Sequence, residues 1–364
     1  MKPVRDIIII GAGPAGSAAA FHAARNGLNA LVIEKSSWPR PKTCAGGISP
    51  RGRALLKSLG VWEKFHKAGY PIMGLHLVSP KGKEAMLAGV ESATVINRRI
   101  FDDLLMQSAM NAGSSFLTDT KVEALLRENN RVTGVVAGGR EYYGRWVLSA
   151  EGANTRFSPD RNPREILHTA MAWYENASFT PNIIDMIYDN EILPYYMWLF
   201  PESEKIVNIG LCIHRSIYKG SVRDLFSRLV ERHFSKRLSS SRMIGGIKSH
   251  PISVTAGSVN YNSEPGLIVV GEAARLVNPS TGEGISYAME SGIGAIESIL
   301  SGDRFGWSYE VVSNTYKNRI ACFGRNFKAA GFFLDHAGTI INLAASFGSH
   351  PLLRRVTSKS LAKI

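Results

Sequence analysis

The sequence predicts a mixed α/β fold, α+β overall. We expect a parallel sheet flanked by helices, an inserted domain built on an antiparallel sheet, and a helical C-terminal region. Three observations support this prediction. Residues 7–34 read as an apolar strand, a glycine-rich turn, a helix of small residues and a second strand that ends in an acid. Residues 161–262 are dominated by strand-like segments, and residues 301–364 are mostly helical by pattern.

The first of these segments is typical of a dinucleotide-binding unit. Gly11 permits the tight turn out of the strand, Gly13 lets the backbone approach a pyrophosphate, and Gly16 lets the helix pack close to the sheet. The helix N-terminus faces the phosphate charge. Glu34 ends the second strand and is placed to accept hydrogen bonds from a ribose 2′-hydroxyl. That carboxylate argues against a 2′-phosphate.

The remaining elements follow from periodicity and turn signals. An amphipathic helix is predicted at 51–59, strands over 72–97, a helix at 98–112, a hairpin at 122–137 with Asn-Asn at its turn, a parallel strand at 266–274 and a long helix at 284–300. We therefore expect a nucleotide domain of residues 1–71, 92–160 and 262–300, a substrate domain of residues 72–91 and 161–261, and a helical region of residues 301–364.

Composition excludes several classes of protein. The net charge is +13, but no nucleic-acid module is recognisable, so nucleic acid is not expected as a partner. Cys44, Cys212 and Cys322 are dispersed, which indicates neither a disulfide framework nor a metal site. The apolar stretch 329–348 is interrupted by polar residues and is not expected to span a membrane. With no signal peptide before the first strand, we expect a cytoplasmic location.

Two later segments follow buried strands in the way the first glycine turn does. Ser149–Ala153 is one, and Val270–Ala274 followed by Asn278–Ile285 is the other. Together with the N-terminal segment, in this order, they resemble the three flavin-binding motifs of the para-hydroxybenzoate hydroxylase superfamily. The resemblance covers essentially the whole chain. It implies a glutathione-reductase-type Rossmann domain that binds FAD rather than NAD.

The resemblance also implies roles for individual residues. Glu272 would accept hydrogen bonds from the ribityl chain, and the helix after the PxxGxG loop, residues 279–284, would point its N-terminus at the flavin N1–C2=O edge. Glu151 and Glu272 stand where the family usually carries Asp. Arg98 occupies the first position of an RxxFD pattern whose arginine contacts the pyrophosphate region. The implied FAD-binding residues are Gly11, Gly13, Ala15, Gly16, Glu34, Lys35, Cys44, Ala45, Arg98, Val122, Glu151, Gly152, Gly271, Glu272, Pro279, Gly282, Gly284 and Ile285.

Three elements together narrow the resemblance to the geranylgeranyl reductase branch, and one of them is residues 278–292, NPSTGEGISYAMESG, which match its version of the PxxGxG loop and the following helix. Residues 42–47 match a KxCxGG element, and residues 196–201, YMWLFP, match YxWxFP but not the WxWxIP of halogenases. This implies a substrate pocket that includes Gly46, Gly47, Tyr196, Trp198 and Phe200, with Cys44, Tyr196 and Trp198 as the catalytic positions at the flavin face. Two alternatives stay open. The alternating aromatics could be plain core, and Cys44 could be a structural thiol.

The implied activity is reduction of C=C bonds in a prenyl or other apolar substrate, by hydride from N5 of reduced FAD. Tyr196, Cys44 and His76 are the candidate proton donors. No second GxGxxG motif serves NAD(P)H, so the reductant is either transiently bound NAD(P)H or an external donor such as a reductase or ferredoxin. The main alternative is an FAD-dependent monooxygenase. An electron-transfer flavoprotein fits less well, because the three dispersed cysteines argue against an iron–sulfur cluster. A non-catalytic prenyl-binding protein would not need an intact flavin site, and Glu151 and Glu272 in place of Asp leave it as a further, less favoured alternative.

The C-terminal region combines apolar and basic residues. Phe323, Phe327, Phe332, Phe333 and Leu334 recur near helical spacing, with Arg319, Arg325 and Lys328 between them. Four more basic residues follow in the tail, Arg354, Arg355, Lys359 and Lys363. This pattern suits a helix that lies on the cytoplasmic membrane surface. An ordinary helix packed on its own domain has the same pattern.

Overall fold

A computed structural model describes residues 4–158, 166–255, 264–303 and 308–347, which leaves the four basic residues of the tail outside the described residues. The strands are β1 (Val4–Ile10), β2 (Ala30–Ile33), β3 (Gly47–Ile48), β4 (Tyr70–Val78), β5 (Glu84–Val95), β6 (Ser115–Leu117), β7 (Val122–Glu128), β8 (Arg131–Ala137), β9 (Arg140–Ser149), β10 (Ile166–Glu175), β11 (Ile183–Ile187), β12 (Met197–Pro201), β13 (Ile206–His214), β14 (Arg242–Ser253) and β15 (Leu267–Val269). The helices are α1 (Pro14–Arg25), α2 (Pro50–Ser58), α3 (Trp62–Ala68), α4 (Arg98–Asn111), α5 (Val222–Leu238), α6 (Ile285–Asp303), α7 (Tyr309–Ala321) and α8 (Phe323–Phe347).

The chain divides into two compact units. The first comprises Met1–Pro41, Arg99–Asn162 and Ser253–Lys328, and the second comprises Lys42–Arg98, Pro163–Ile252 and Ala329–Ile364. The domain boundaries expected from the sequence differ from these, notably because the expected nucleotide domain included residues 42–71. The structure groups these residues with the second unit because β3 and β4 pair with β5 in its sheet.

The first unit is built on a sheet with the strand order β6-β2-β1-β9-β8-β7, and β15 also pairs with β9. Strands β6, β2, β1, β9 and β15 run parallel, whereas β7 and β8 form an antiparallel hairpin that continues from β9. Residues 7–9 of β1 are fully buried. A continuous apolar strand of this kind is expected where helices cover both faces of a parallel sheet.

The second unit is built on an eight-stranded sheet with the order β14-β10-β13-β12-β11-β4-β5-β3. From β10 to β3 along this order, neighbouring strands pair antiparallel except for β11 with β4. Helix α5 packs on one face of this sheet through Leu225, Phe226, Leu229 and Phe234, which are buried together with alternate residues of β10, β12 and β13. The core of this unit therefore lies between α5 and one sheet face.

Most of the elements expected from the sequence are confirmed. These are the strand–turn–helix–strand start, the helices at 51–59, 98–112 and 284–300, the 122–137 hairpin and the helical C-terminal region up to residue 347. Helix α5 lies within residues 161–262, for which the sequence pattern predicts mainly strands. Within the described ranges, no helix is both long enough and apolar enough to cross a membrane.

Candidate functional site

The glycine turn of the first unit is locked by close backbone contacts. Gly11 has a φ of +100°, and its amide donates to the Ile33 carbonyl at 2.8 Å. A Cβ at Gly11 would lie 2.6 Å from the Ala150 carbonyl oxygen, and one at Gly16 would lie 1.9 Å from the Gly11 oxygen. Only glycine fits at these two positions, because a side chain would displace backbone in either case.

Glu34 anchors the same turn from the end of β2. Its Oε2 accepts the Ala12 amide at 2.9 Å, and its Oε1 accepts the Ser36 amide at 3.0 Å. A carboxylate has about four acceptor positions, so two remain for a ribose hydroxyl. Lys35, the next residue, is exposed.

Arg40 is a residue of this site that sequence reasoning missed. Its Nε lies 3.9 Å from Glu34 Oε1, and its Nη2 lies 3.6 Å from the place where a Gly13 Cβ would be. Its Nη1 is 3.1 Å from Asp102 Oδ2, yet this buried nitrogen has no hydrogen bond of acceptable geometry within the described residues. An arginine in a proline-rich loop carries no signal in the sequence that the loop folds back over the glycine turn.

The three motifs of the first unit meet in space. A Cβ at Gly271 would lie 3.0 Å from the Ala15 Cβ, and one at Gly292 of α6 would lie 2.3 Å from the Ala15 carbonyl oxygen. A Cβ at Gly152 would be 3.9 Å from Glu272 Oε2. Helix α1 and the segments after β9 and β15 therefore converge at one end of the parallel sheet, where α/β proteins bind ligands.

The two glutamates of the later motifs, Glu151 and Glu272, make different contacts. Glu151 turns back on its own loop, where its Oε2 accepts from the hydroxyls of Ser149 and Thr155 and from the amides of Arg156 and Phe157. Glu272 Oε1 accepts the Ser253 amide at 3.2 Å. The carboxylate of Glu151 thus stabilises the turn after β9.

The loop before α6 is held by an Asx turn. Asn278 Oδ1 accepts the Ser280 amide at 3.0 Å and the Thr281 amide at 3.3 Å, in the segment that contains Pro279. Gly282 follows with a φ of +67°. The Gly284 carbonyl then accepts the Ala288 amide, so the first turn of α6, beginning at Ile285, presents amides without partners inside the helix.

Two further expected positions each begin an element of the fold. Arg98 is the first residue of α4 and is buried. Val122 begins β7, and its carbonyl accepts from Arg156 Nη1 at 3.1 Å.

The residues of the first unit fit a dinucleotide on structural grounds. Among the described residues, only the end of Arg40 approaches a Cβ added at Gly13, and the buried Nη1 of Arg40 forms an ion pair with Asp102 but no hydrogen bond. A pyrophosphate supplies the anionic acceptors that such a donor and a helix N-terminus bind. In the part of the chain that the structure describes, no group of His, Cys, Asp and Glu side chains could hold a metal ion.

The second unit carries the aromatic stripe, which we define as Tyr196, Trp198 and Phe200. Their neighbouring ring centroids are 6.1 and 6.2 Å apart. Trp198 Nε1 donates to Asn208 Oδ1 at 2.7 Å, and a Cβ at Gly210 would lie 2.3 Å from Trp198 Cζ2. Glycine opposite the indole therefore lets Trp198 lie flat on the sheet.

The aromatic stripe lies on the sheet face opposite α5. Successive side chains of a strand point to opposite faces, and the core under α5 contains Met197 and Leu199 of β12. Phe200 also contacts a smaller apolar cluster formed by Tyr70, Ile72 and Val95. The stripe is therefore separate from the main core of the unit.

The segment Cys44–Gly47 meets this stripe. The Gly46 amide donates to Cys44 Sγ at 3.4 Å, and Ala45 lies between them. Gly46 has a φ of +75°, and a Cβ there would be 2.2 Å from the Ile96 oxygen. A Cβ at Gly47 would lie 3.0 Å from Phe200 Cε2. The segments 42–47 and 196–201 are therefore adjacent within one unit.

His76, a candidate proton donor from the sequence, is on the other face. Its Nδ1 lies 2.6 Å from Asp185 Oδ1, and Arg237 Nη1 donates to Asp185 Oδ2 at 2.6 Å. Asp185 is opposite Leu199 in register, which places His76 on the α5 side. The hydrogen bond to Asp185 raises the pKa of His76. His76 thus links β4, β11 and α5.

Comparisons with known families agree with this arrangement. Residues 5–180 match the FAD binding domain family, and residues 166–249 match the geranylgeranyl reductase catalytic domain family. The digeranylgeranylglycerophospholipid reductase of Methanosarcina acetivorans is 32% identical over 88% of this chain and 81% of its own. A second such reductase, from Methanopyrus kandleri, is 28% identical over 99% of this chain and 94% of its own.

Solved structures share the fold. A geranylgeranyl bacteriochlorophyll reductase-like protein from Thermoplasma acidophilum superimposes with a TM-score of 0.87 at 22% identity, covering 100% of this chain and 96% of its own. A flavin-dependent brominase superimposes with a TM-score of 0.82 at 20% identity, covering 99% and 94%. With FAD as its cofactor, the chain belongs to the geranylgeranyl reductase family of FAD-dependent oxidoreductases.

Proposed function

We propose that the protein saturates C=C bonds in geranylgeranyl-type prenyl chains carried by a lipid. The observation that supports this most is the aromatic stripe on the sheet face opposite α5, adjacent to Cys44–Gly47. An apolar face of this kind suits a hydrocarbon chain, because such a chain makes no hydrogen-bond demands. Relatives of similar length are named for the reduction of a digeranylgeranyl lipid.

The first unit would hold FAD through the residues that converge there. Gly11, Gly13 and the start of α1 would receive the pyrophosphate together with Arg40, and Glu34 would accept a ribose hydroxyl. Glu272 and the first turn of α6 would face the ribityl and ring portion. Bound FAD supplies the hydride when reduced.

The second unit contributes positioning and exclusion of water. Asn208 fixes the indole of Trp198, and Gly210 leaves the room for it. An isolated alkene is a poor electrophile, so placing the prenyl double bond and desolvating it are the main contributions open to the protein. Tyr196, whose ring lies against Trp198, and Cys44, whose Sγ accepts the Gly46 amide, are the proton-donor candidates of this unit.

The electron donor and the membrane contact belong to the same proposal. Because the sequence has one glycine fingerprint, we favour an external donor, either a protein or transiently bound NAD(P)H. In α8, Phe323 and Phe327 pack on Tyr287 of their own unit, whereas Phe332 is 62% exposed. The exposed residues Arg325 and Lys328 precede Phe332 on the helix, which supports a peripheral contact with an anionic membrane.

The test is mass spectrometry of a geranylgeranyl lipid incubated with chemically reduced protein, with and without oxygen. We expect product masses that rise by pairs of hydrogens in the absence of oxygen. The matched control is the Gly13→Val variant, which should lack FAD and leave the lipid unchanged. An added oxygen atom found only under aerobic conditions would overturn the reductase and support the monooxygenase.

A further inference from the structure

A partly buried carboxyl group stands at the end of the aromatic stripe. Glu202 follows β12 directly, and its Oε1 accepts Trp173 Nε1 at 2.6 Å. Its Oε2 accepts Asn97 Nδ2 at 3.2 Å. Both donors are neutral, so this carboxyl is held by hydrogen bonds from an indole and an amide.

The two hydrogen bonds reach different parts of the second unit. Trp173 lies on β10, opposite Asn208, which is in turn opposite Phe200. Asn97 follows Ile96, whose amide donates to the Gly46 carbonyl at 2.9 Å. The hydrogen bond from Trp173 therefore ties Glu202 to the sheet that carries the aromatic stripe. The hydrogen bond from Asn97 ties it to the residues beside the Cys44–Gly47 segment.

The backbone of Glu202 is itself fixed. Its amide donates to the Ile206 carbonyl at 2.8 Å, in the turn that joins β12 to β13. A rigid backbone with two directed hydrogen bonds sets the distance between the elements that it joins. Phe200 lies against Gly47, so a small shift of the Cys44–Gly47 segment would change the surface beside the aromatic stripe.

Stability alone is a poor explanation for this carboxyl. Burial raises the pKa of Glu202, although the hydrogen bonds from Trp173 and Asn97 oppose this effect. Burial therefore disfavours the charged form, and an apolar side chain would fill such a place at lower cost. What an apolar side chain would not provide is a directed link to both Trp173 and Asn97.

We propose that Glu202 is a positioning residue that holds the Cys44–Gly47 segment against the aromatic stripe. This rests on the proposed function in one respect, since the stripe is taken as the wall of the prenyl pocket. The link itself is a property of the second unit and is testable without substrate.

The experiment measures the rate at which iodoacetamide alkylates Cys44 in FAD-loaded protein. Cys322 is exposed and is removed by a Cys322→Ser background, while Cys212 is only 2% exposed. In that background Glu202→Ala should raise the Cys44 rate about tenfold, the factor expected when a hydrogen bond to a charged group is lost. Glu231→Ala, which removes an exposed carboxylate of α5, is the matched control and should leave the rate unchanged.

Rescue by glutamine separates positioning from a general loss of structure. In Glu202→Gln, the introduced amide would accept from Trp173 and donate to a flipped Asn97 amide, so the rate should return to within about twofold of the parent. If Glu202→Ala fails to fold, Trp173→Phe removes one of the two hydrogen bonds to Glu202 and should give a smaller rise in the rate of Cys44 alkylation. A Cys44 rate that is equal in the parent, Glu202→Ala and Trp173→Phe would overturn the proposal, whatever lipid product the enzyme forms.

Discussion

Gly13 is the glycine of the turn that is open to a ligand. Its φ of −71° and ψ of −176° are accessible to any residue, and the nearest atom to an added Cβ is Arg40 Nη2 at 3.6 Å. Gly13→Val should therefore fold with an unfolding free energy within about 1 kcal/mol of the parent, since no special backbone conformation is lost. It should nevertheless lose FAD, because the side chain occupies the space assigned to the pyrophosphate.

The visible absorbance of the purified variant and its urea midpoint measure the two effects separately. A Gly13→Val protein that stays yellow at full stoichiometry would contradict the pyrophosphate assignment. A variant that is colourless only because it has unfolded would show in the urea midpoint.

Trp198 gives a second prediction at this scale. Trp198→Phe removes the donor to Asn208, whose side chain is fully buried, and should cost about 1–3 kcal/mol of unfolding free energy. Because the ring also lines the proposed pocket, KM for the prenyl lipid should rise while FAD stays bound. Met197→Leu, a change at the neighbouring residue on the α5 face, is the control, and its KM should not move. Equal KM values for Trp198→Phe and the parent would place Trp198 in the core alone.

At the scale of elements, α1 and α6 approach closely through a single glycine. A Cβ at Gly292 would lie 2.3 Å from the Ala15 backbone oxygen, whereas one at Gly294 would meet only Arg319 Cδ at 3.7 Å. Gly292→Ala should therefore destabilise the protein by about 1–3 kcal/mol, because one helix must shift. Gly294→Ala should stabilise it by about 0.5–1 kcal/mol through helix propensity.

Urea denaturation of the two variants beside the parent provides the measurement. Both variants replace glycine by alanine in α6. If Gly292→Ala lowers the unfolding free energy and Gly294→Ala raises it, the difference is due to the contact of Gly292 with Ala15. Two variants of equal stability would mean that α1 and α6 are not packed as described.

We expect the link that His76 makes between β4, β11 and α5 to contribute a stability that depends on pH. The hydrogen bond to Asp185 raises the pKa of His76 above its ordinary value of 6.5. A raised folded-state pKa stabilises the protein fully below about pH 6.5, and the contribution disappears as the pH rises through the folded-state value. The difference in unfolding free energy between the parent and His76→Gln should be largest in mild acid and should shrink towards alkaline pH. Urea titrations across that range measure it, and a difference that grows with pH would contradict the assignment.

For the whole molecule, the sequence predicted those elements whose structure depends mainly on residues that are close together in the chain. The glycine turn, the 122–137 hairpin and the helix at α6 are each specified by neighbouring residues, and the structure confirms them. Helix α5 was predictable from Ser221 at its N-cap and the buried spacing Leu225, Leu229, but its strand-rich neighbours obscured it.

Other features depend on contacts between distant residues, which no local pattern encodes. Arg40 reaches Glu34 and Asp102 only because its loop folds back. His76 was a reasonable proton donor by residue type, yet its register beside Asp185 places it on the α5 face. Glu202 binds partners 29 and 105 positions away.

The proposed FAD site joins three separated segments of the chain, so FAD should stabilise the first unit as a whole. A ligand that binds only the folded state adds about 2.7 kcal/mol to the unfolding free energy when present at 100 times its Kd. Thermal unfolding of FAD-stripped protein should therefore shift upward on adding FAD. FMN lacks the adenosine portion that Glu34 and the glycine turn would bind, and should shift the transition less. Gly13→Val is the matched control and should show no shift with FAD. Equal shifts with FAD and FMN would mean that the glycine turn contributes nothing to cofactor binding, although the fold around it is that of a dinucleotide-binding unit.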